Sequence, residues 1–191
     1  MQEKFYFEVP SFKRKEAAIE FINEFYKYGS KINGTGGFNR FVDNYEGWLT
    51  KLENDYHQIV DEEHVPARTY FLVRKNDDRI VGMINIRLAL NDKLRNYGGN
   101  IGYCIRPTER NKGYNKINLY LGLKICDQYD IDKVLLEADV KNLASWKTME
   151  ALGGIRIKEC FEEISHSLTA FYEIDVKKAL KEHAFYEQYI D

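Results

Sequence analysis

The residues best placed to do chemistry lie in one decapeptide, RPTERNKGYN, at positions 106–115. It follows the short apolar run NIGYCI and precedes a segment in which Ile117, Leu121 and Ile125 recur one turn apart, so it reads as a turn from a strand into a helix. The first N–H groups of a helix have no intrahelical acceptor and sit at the positive end of the macrodipole. A glycine there lets a phosphate approach the chain closely, and Gly113 provides it. Arg110 and Lys112 add formal positive charge beside the same amides, and arginine can hold phosphate oxygens in a bidentate fork. The composite suits a pyrophosphate. A basic turn that merely contains a glycine is the plain alternative, and the elements around it must decide.

Those elements are legible from periodicity. The alternation in KFYFEV predicts a first strand, and Pro10-Ser11 opens a helix with apolar positions at Ala18, Ile19, Ile22, Phe25 and Tyr26. After a loop punctuated by Gly29, Gly34, Gly36 and Gly37, the spacing of Phe38, Phe41, Val42, Tyr45, Trp48, Leu49, Leu52 and Tyr56 predicts one amphipathic helix. Runs at 69–74 and 79–88 predict a hairpin turning at Asn76-Asp77-Asp78. In its second strand Ile80, Gly82, Ile84, Ile86 and Leu88 share one face while Asn85 and Arg87 meet solvent on the other. The strand NIGYCI ends at Arg106-Pro107, because proline donates nothing to a ladder. A helix over 114–129, a strand over 134–140, a short helix over 142–152 stopped by Gly153-Gly154, and strands near 155–161 and 168–176 follow. The tail from 177 to 191 predicts one further helix. The fold class is α/β (α+β): a mixed, mostly antiparallel sheet flanked by helices, with 1–191 as a single domain.

Composition narrows the function. Lys+Arg number 28 against 30 Asp+Glu, a formal charge of -2, so no broad field favours nucleic acid or anionic lipid as a partner. Cys104, Cys126 and Cys160 form an odd set with neither CxxC spacing nor a nearby histidine pair, which argues against a disulfide framework and against a metal site. A reducing cytoplasm is the expected location. The N-terminus lacks an apolar h-region and no stretch approaches the roughly 20 apolar residues of a membrane span. Asn33-Gly34-Thr35, sequon-like, is better explained as loop chemistry.

The turn, the helix after it and the run NLASWKTMEALGG at 142–154 together resemble the GNAT superfamily of N-acetyltransferases. Residues 110–115 look like that family's acetyl-CoA signature: Gln or Arg, two residues, Gly, one residue, then Gly or Ala. The likeness covers 69–176 well and 34–49 more loosely, and AFYEIDV resembles the last strand of a bacterial subgroup. It implies acetyl-CoA as co-substrate and direct attack of an amine on the thioester. Ile105 would pair through its backbone with the pantetheine arm as an added strand would. Arg110, Asn111, Lys112, Gly113, Tyr114 and Asn115 would surround the pyrophosphate, Asn142 would bond the pantetheine, and Ser145 would lie near it at a helix N-terminus. Ordinary helix capping explains Asn142 and Ser145 equally well, and both roles can coexist.

Three departures from the family pattern bear on mechanism. Met149 stands where many members place a thiolate-protonating tyrosine, Asn100 where related sequences carry a glutamate, and Asn115 where the signature ends in a small residue. Glu137 and Asp139, alternating with Leu136 and Ala138 near the end of a strand, are the first candidates for proton acceptor; solvated strand carboxylates are the competing account. His166, in the turn SHSLT, has a suitable intrinsic pKa. Tyr172 is the candidate at the thiolate, with Tyr103 beside it. Cys104 and Cys126 read as small packing hydrophobes. The loop at 29–37, its flanking helices and the loop before Leu168 would enclose the acceptor, with Phe38, Tyr45 and Trp48 as walls or as plain core. The expected activity is N-acetylation of a primary amine on a small molecule, with a homodimer as the expected assembly. An acyl-CoA-binding module without turnover and a protein or peptide N-acetyltransferase are the rival readings.

Overall fold

A computed structural model describes residues 2–162 and 166–191. Strand β1 (Phe5–Glu8) leads into helix α1 (Lys15–Lys27) through a 3-10 turn at Phe12–Arg14, so the first helix begins four residues beyond Ser11. Helix α2 (Tyr45–Tyr56), strands β2 (Ala67–Arg74) and β3 (Arg79–Arg87), and a short helix α3 (Asp92–Asn96) come next. Strand β4 (Ile101–Ile105), helix α4 (Tyr114–Gln128), strand β5 (Lys133–Asp139) and helix α5 (Leu143–Glu150) form the central unit. Strands β6 (Ile155–Glu162) and β7 (Ser167–Asp175) and helix α6 (Val176–Glu182) close the chain.

The strands make two sheets, β1-β2-β3-β4 and β5-β7-β6, with every strand pair antiparallel. A core of buried residues under α4 joins both sheets, including Leu72, Ile84, Ile105, Leu136, Ala170 and Tyr172. A second core, built on Phe21, Phe25, Trp48, Phe71, Met83 and Cys104, lies on the other face of the first sheet beneath α1 and α2. The first sheet is therefore covered on both sides.

Three expectations need correcting. The helix expected over 38–56 is broken: Gly37 has φ +83, a 3-10 turn spans Phe38–Arg40, and Asn44 starts α2 by accepting the Gly47 N–H at 3.0 Å. The periodicity misled because both pieces serve one core, the Phe38 ring lying 4.4 Å from Trp48 and 5.6 Å from Tyr45. Strand β3 is not half solvated. Its register with β2 shifts between Leu72 and Val73, leaving Val81 without a partner, so Ile80 falls on the α1/α2 face while Val81, Ile84 and Ile86 fall on the α4 face. The tail is α6 followed by a 3-10 segment at Ala184–Tyr189, interrupted at His183.

The two sheets are joined at one point. Asn100 donates its backbone N–H to Leu135 O at 2.6 Å, accepts the Leu135 N–H on Oδ1 at 2.8 Å, and donates Nδ2 to Arg87 O at 3.2 Å. Beyond this residue β4 and β5 share no backbone hydrogen bond among the described residues. The asparagine standing in place of a glutamate is thus a structural bolt, only 3% exposed. Asn100→Ala strands a buried N–H and a buried carbonyl, and is expected to cost about 2–4 kcal/mol. Urea denaturation checks it, and a loss below about 1 kcal/mol would mean that the sheets are held together elsewhere.

Candidate functional site

Strand β4 has one paired edge and one open edge. The Arg87 N–H donates to Asn100 O and the Arg106 N–H to Val81 O, with an unbroken register between Gly82↔Ile105 and Ile86↔Ile101. Hydrogen-bonded pairs alternate along an antiparallel ladder, so Gly102 and Cys104 bond β3 while the backbone groups of Ile101, Tyr103 and Ile105 face the gap toward β5. That is the geometry a ligand needs to add itself as a strand. Ile105 ends this strand, and its outward carbonyl accepts Arg110 Nε at 3.2 Å.

At the far end of that edge the chain turns into α4. Gly113 is the residue before the helix, with φ +84, and a Cβ built on it would have nothing within 4 Å. Asn111 is also left-handed, at φ 63. The Lys116 N–H reaches Gly113 O, while no backbone or side-chain acceptor meets the amides of Asn111 to Asn115 among the described residues. Open space over bare amides at a helix N-terminus fits a pyrophosphate.

The side chains of this turn go elsewhere than the sequence suggested. Arg110 donates to Ser30 Oγ at 2.6 Å and lies 5.6 Å from the Phe25 ring, spanning toward the end of α1. Lys112 Nζ is 2.8 Å from Glu109 Oε2. Tyr114 donates to the Glu3 carboxylate at 2.7 Å and packs its ring 4.8 Å from Phe5. Asn115 Nδ2 reaches Thr148 Oγ1 at 3.4 Å. The cradle is thus made by backbone, with cations held at its margin.

Glu109 organises that margin. It is 3% exposed, with Lys112, Arg74 Nη1 at 2.9 Å and Arg79 Nη1 at 3.0 Å around it. Burial alone would raise its pKa, but hydrogen bonds and charge from Lys112 and Arg74 outweigh that and hold it below the ordinary carboxylate value. Nearby Arg106, 1% exposed, donates Nε to Ile80 O at 2.9 Å and Nη1 to Glu20 at 2.8 Å, while Thr108 donates both N–H and Oγ1–H to Glu24. These bonds fasten the turn to α1 and β3.

On the β5 side, Asn142 caps α5 by accepting the Ser145 N–H at 3.3 Å, so its capping role is real and its Nδ2 group is left over for a ligand. Ser145 Oγ lies 2.9 Å from Tyr103 Oη, which also donates to Ser145 O at 3.2 Å. Tyr103 thus reaches from β4 to α5, across the separation between the sheets. Burial pushes its pKa upward against the lowering effect of Ser145 and Asn115, so it stays protonated. Among 14 tyrosines it has little prominence in the sequence; its place in the alternation of IGYCI, opposite Gly102 and Cys104, is the available signal.

The three catalytic candidates are not brought together. Val134, Leu136 and Ala138 enter the α4 core, so Glu137 and Asp139 lie on the opposite face of β5. Glu137 faces Arg87, whose charge it supports against burial. Asp139 Oδ1 accepts the Lys141 N–H at 2.8 Å and its carbonyl accepts that of Asn142, which makes it a turn-forming residue. Tyr172 pairs with Leu136, not with Glu137, and is buried in the α4 core with its hydroxyl toward Glu150 at the far end of α5. His166 is described, at φ 48, whereas residues 163–165 of the expected acceptor loop lie outside the described residues. Cys104 and Cys126 are buried, their thiols pushed up to about 12 by that burial, and serve as packing. No group of His, Cys, Asp or Glu among the described residues has the arrangement of a metal site. None of the described helices is long and apolar enough to cross a membrane.

An open strand edge that ends on an amide-lined helix start is a site for a long phosphorylated ligand lying beside a sheet. Residues 16–155 match the model of the acetyltransferase (GNAT) domain, and the chain belongs to that family. Solved structures share the fold. An acetyltransferase (GNAT family) from Bacillus anthracis is 16% identical, with 93% of this chain and 98% of that chain covered at a TM-score of 0.63. Mutant forms of the spermidine/spermine N-acetyltransferase SpeG from Vibrio cholerae are 13% identical, covering 94% and 98% at 0.66. A ribosomal-protein-S5-alanine acetyltransferase from Vibrio fischeri is 12% identical, covering 90% and 92% at 0.67. A sequence comparison with curated proteins gives no match.

The pH dependence of the Glu109 cluster follows from its lowered carboxylate. Its stabilisation is complete above the unfolded-state value, roughly 4.3, and is lost as pH falls through the lower folded-state value. Glu109→Gln should therefore cost about 2–4 kcal/mol near pH 7, with the gap from the parent protein closing below about pH 4. Denaturation curves across that range test it; a gap independent of pH would remove the charge from the explanation.

Proposed function

We propose that the protein is an acetyl-CoA-dependent N-acetyltransferase acting on the primary amine of a small molecule. The observation that carries this is the continuity from the bare amides at Gly113, along the open edge of β4, to a groove of about 750 Å³ that begins at Gly102. The donor supplies the activated acyl group. The chain's own part is to hold its pyrophosphate on the amides of Asn111 to Asn115, with Arg110 and Lys112 supporting from the rim, and its pantetheine on the β4 edge and Asn142 Nδ2. Arg110 must give up the Ile105 carbonyl for full pairing.

The amine nitrogen forms its bond to the acyl carbon as the carbon–sulfur bond breaks, and two protons must be placed. Glu137, on the groove side of β5, is our choice to take the proton from the amine, ahead of the turn-bound Asp139. Tyr103, kept protonated and spanning the gap, replaces Tyr172 as our choice to give one to the departing sulfur. The reducing cytoplasm remains the proposed location, and self-association the proposed assembly; one structural neighbour is described as a dodecameric spermidine N-acetyltransferase, 13% identical with 94% and 98% coverage at a TM-score of 0.65.

Gly113→Asp should abolish CoA binding in calorimetry, because the carboxylate would occupy the phosphate position; its Cβ would meet nothing within 4 Å, but the left-handed φ of +84 strains any side chain, so the thermal midpoint should also fall by a few degrees. Unchanged affinity in the folded variant would sink the assignment. Glu137→Gln should lower kcat about 10²–10⁴-fold at unchanged CoA affinity, whereas Tyr172→Phe should stay within a few-fold of the parent. The reverse pattern would return the chemistry to the α4 face. Tight CoA binding with no thiol release across amino acids, polyamines, aminoglycosides and peptides would favour the binding module, and activity on peptides alone the protein acetyltransferase.

A further inference from the structure

The acceptor groove carries a pattern of charge that narrows its occupant. Its floor is Asn85 and Gly102, neighbours across β3 and β4 on the α1/α2 face, and its roof includes the loop at 32–40. The loop lies so close that a Cβ on Gly34 would fall 2.3 Å from Gly102 O, which leaves room only for glycine at its φ of +65. Arg87 in the groove wall faces Glu137, which connects the groove to the proposed proton acceptor, while Tyr103, next to Gly102 on β4, packs toward the α4 core.

Six residues with full charges line it: Asp55 and Glu63 against Arg40, Lys51, Arg87 and Lys93. Each carboxylate is already met by a lysine. Asp55 pairs with Lys51 one turn away on α2, and Glu63 with Lys93 at 2.8 Å. His64, also in the wall, is tied to Asp61. Arg87 gives Nη1 to the carbonyls of Gly98 and Gly99, and Glu137 is the one charge that faces it among the described residues. Arg40 lies exposed at the rim with no ion-pair partner among the described residues. A polycation entering this groove finds its carboxylates already paired with Lys51 and Lys93 and adds like charge beside the two remaining cations, Arg40 and Arg87. An anion meets the unpaired Arg40 fork and the remaining donors of Arg87.

We infer that the acceptor is an amine that also bears an anionic group, a carboxylate or a phosphate, held by Arg40 and Arg87 while the amine lies toward Glu137. This rests on the proposed reaction at the same site. It sets the chain apart from any requirement for a polyamine, whatever its structural neighbours acetylate.

Four amines separate the possibilities on the CoA-loaded protein: ethanolamine, β-alanine, O-phosphoethanolamine and spermidine, each measured by calorimetry for binding and by thiol release for turnover. The expected result is that β-alanine or O-phosphoethanolamine binds at least about 10-fold more tightly than both ethanolamine and spermidine, the better of the two identifying the anion. Arg40→Glu should erase that preference and favour spermidine, while Arg40→Lys should retain most of it. Spermidine binding as tightly as the anionic amines, or no binding by any of the four, would overturn the inference. An anionic amine that binds selectively without thiol release would uphold the charge reading and overturn the transferase reading.

Discussion

The fold turns on one joint between two sheets. Backbone N–H and C=O groups in a protein interior must find partners, and the usual solution for adjacent strands is a continuous ladder. Here β4 and β5 meet at Asn100 and Leu135 and then part, because a side-chain amide substitutes for the next ladder rung and the chain of β4 continues along β3 instead. A continuous sheet would have consumed the groups of Tyr103 and Ile105. By ending the ladder early, the joint leaves a strand edge that a ligand can complete, with α4 and its core holding both sheets at a fixed separation from behind.

That separation has to withstand a left-handed glycine and a left-handed asparagine in the turn that follows β4, and it does so through charge. Glu109 and Arg106 are nearly inaccessible, yet each is surrounded by opposite charge from a different element: Glu109 by cations of β2, β3 and its own turn, Arg106 by carboxylates of α1 and a carbonyl of β3. Buried ions are worth keeping only when such partners are complete. Their effect is to pin the entry to α4 on three sides while the amides of Asn111 to Asn115 stay bare. Lys112 stays near the rim, its charge tempered by Glu109, where the proposed function has it support a phosphate.

What the sequence made legible was whatever local chemistry decides. Proline after Arg106, glycine at 113 and asparagine at 142 place the start of α4 and α5 within a residue, because each determines its own dihedral or cap. The resemblance to acetyltransferases rested on those same residues and stands. Long-range matters were not legible. The unpartnered Val81 reverses the faces of β3, the break after Phe38 hides inside an unbroken apolar period, and Tyr172 shares a strand with residues of the other face. The destinations of Arg110 and Lys112 depend on Ser30 and Glu109, one of them 80 residues distant in sequence, and no spacing rule contains them.

The same division separates the two halves of the candidate site. The donor half uses main-chain amides and an open strand edge, which tolerate side-chain change; Asn115 can replace a small residue because the cradle needs its N–H and the side chain turns away to Thr148. The fold itself persists at identities of 12–16%. The proposed acceptor half is lined by side chains of loops and of the exposed faces of α2 and α3, Arg40, Lys51, Asp55, Glu63 and Lys93. These positions can change sign without moving a strand. Membership of the family therefore supports the donor half of the proposed function, whereas the acceptor has to be read from the charges that face it in this chain.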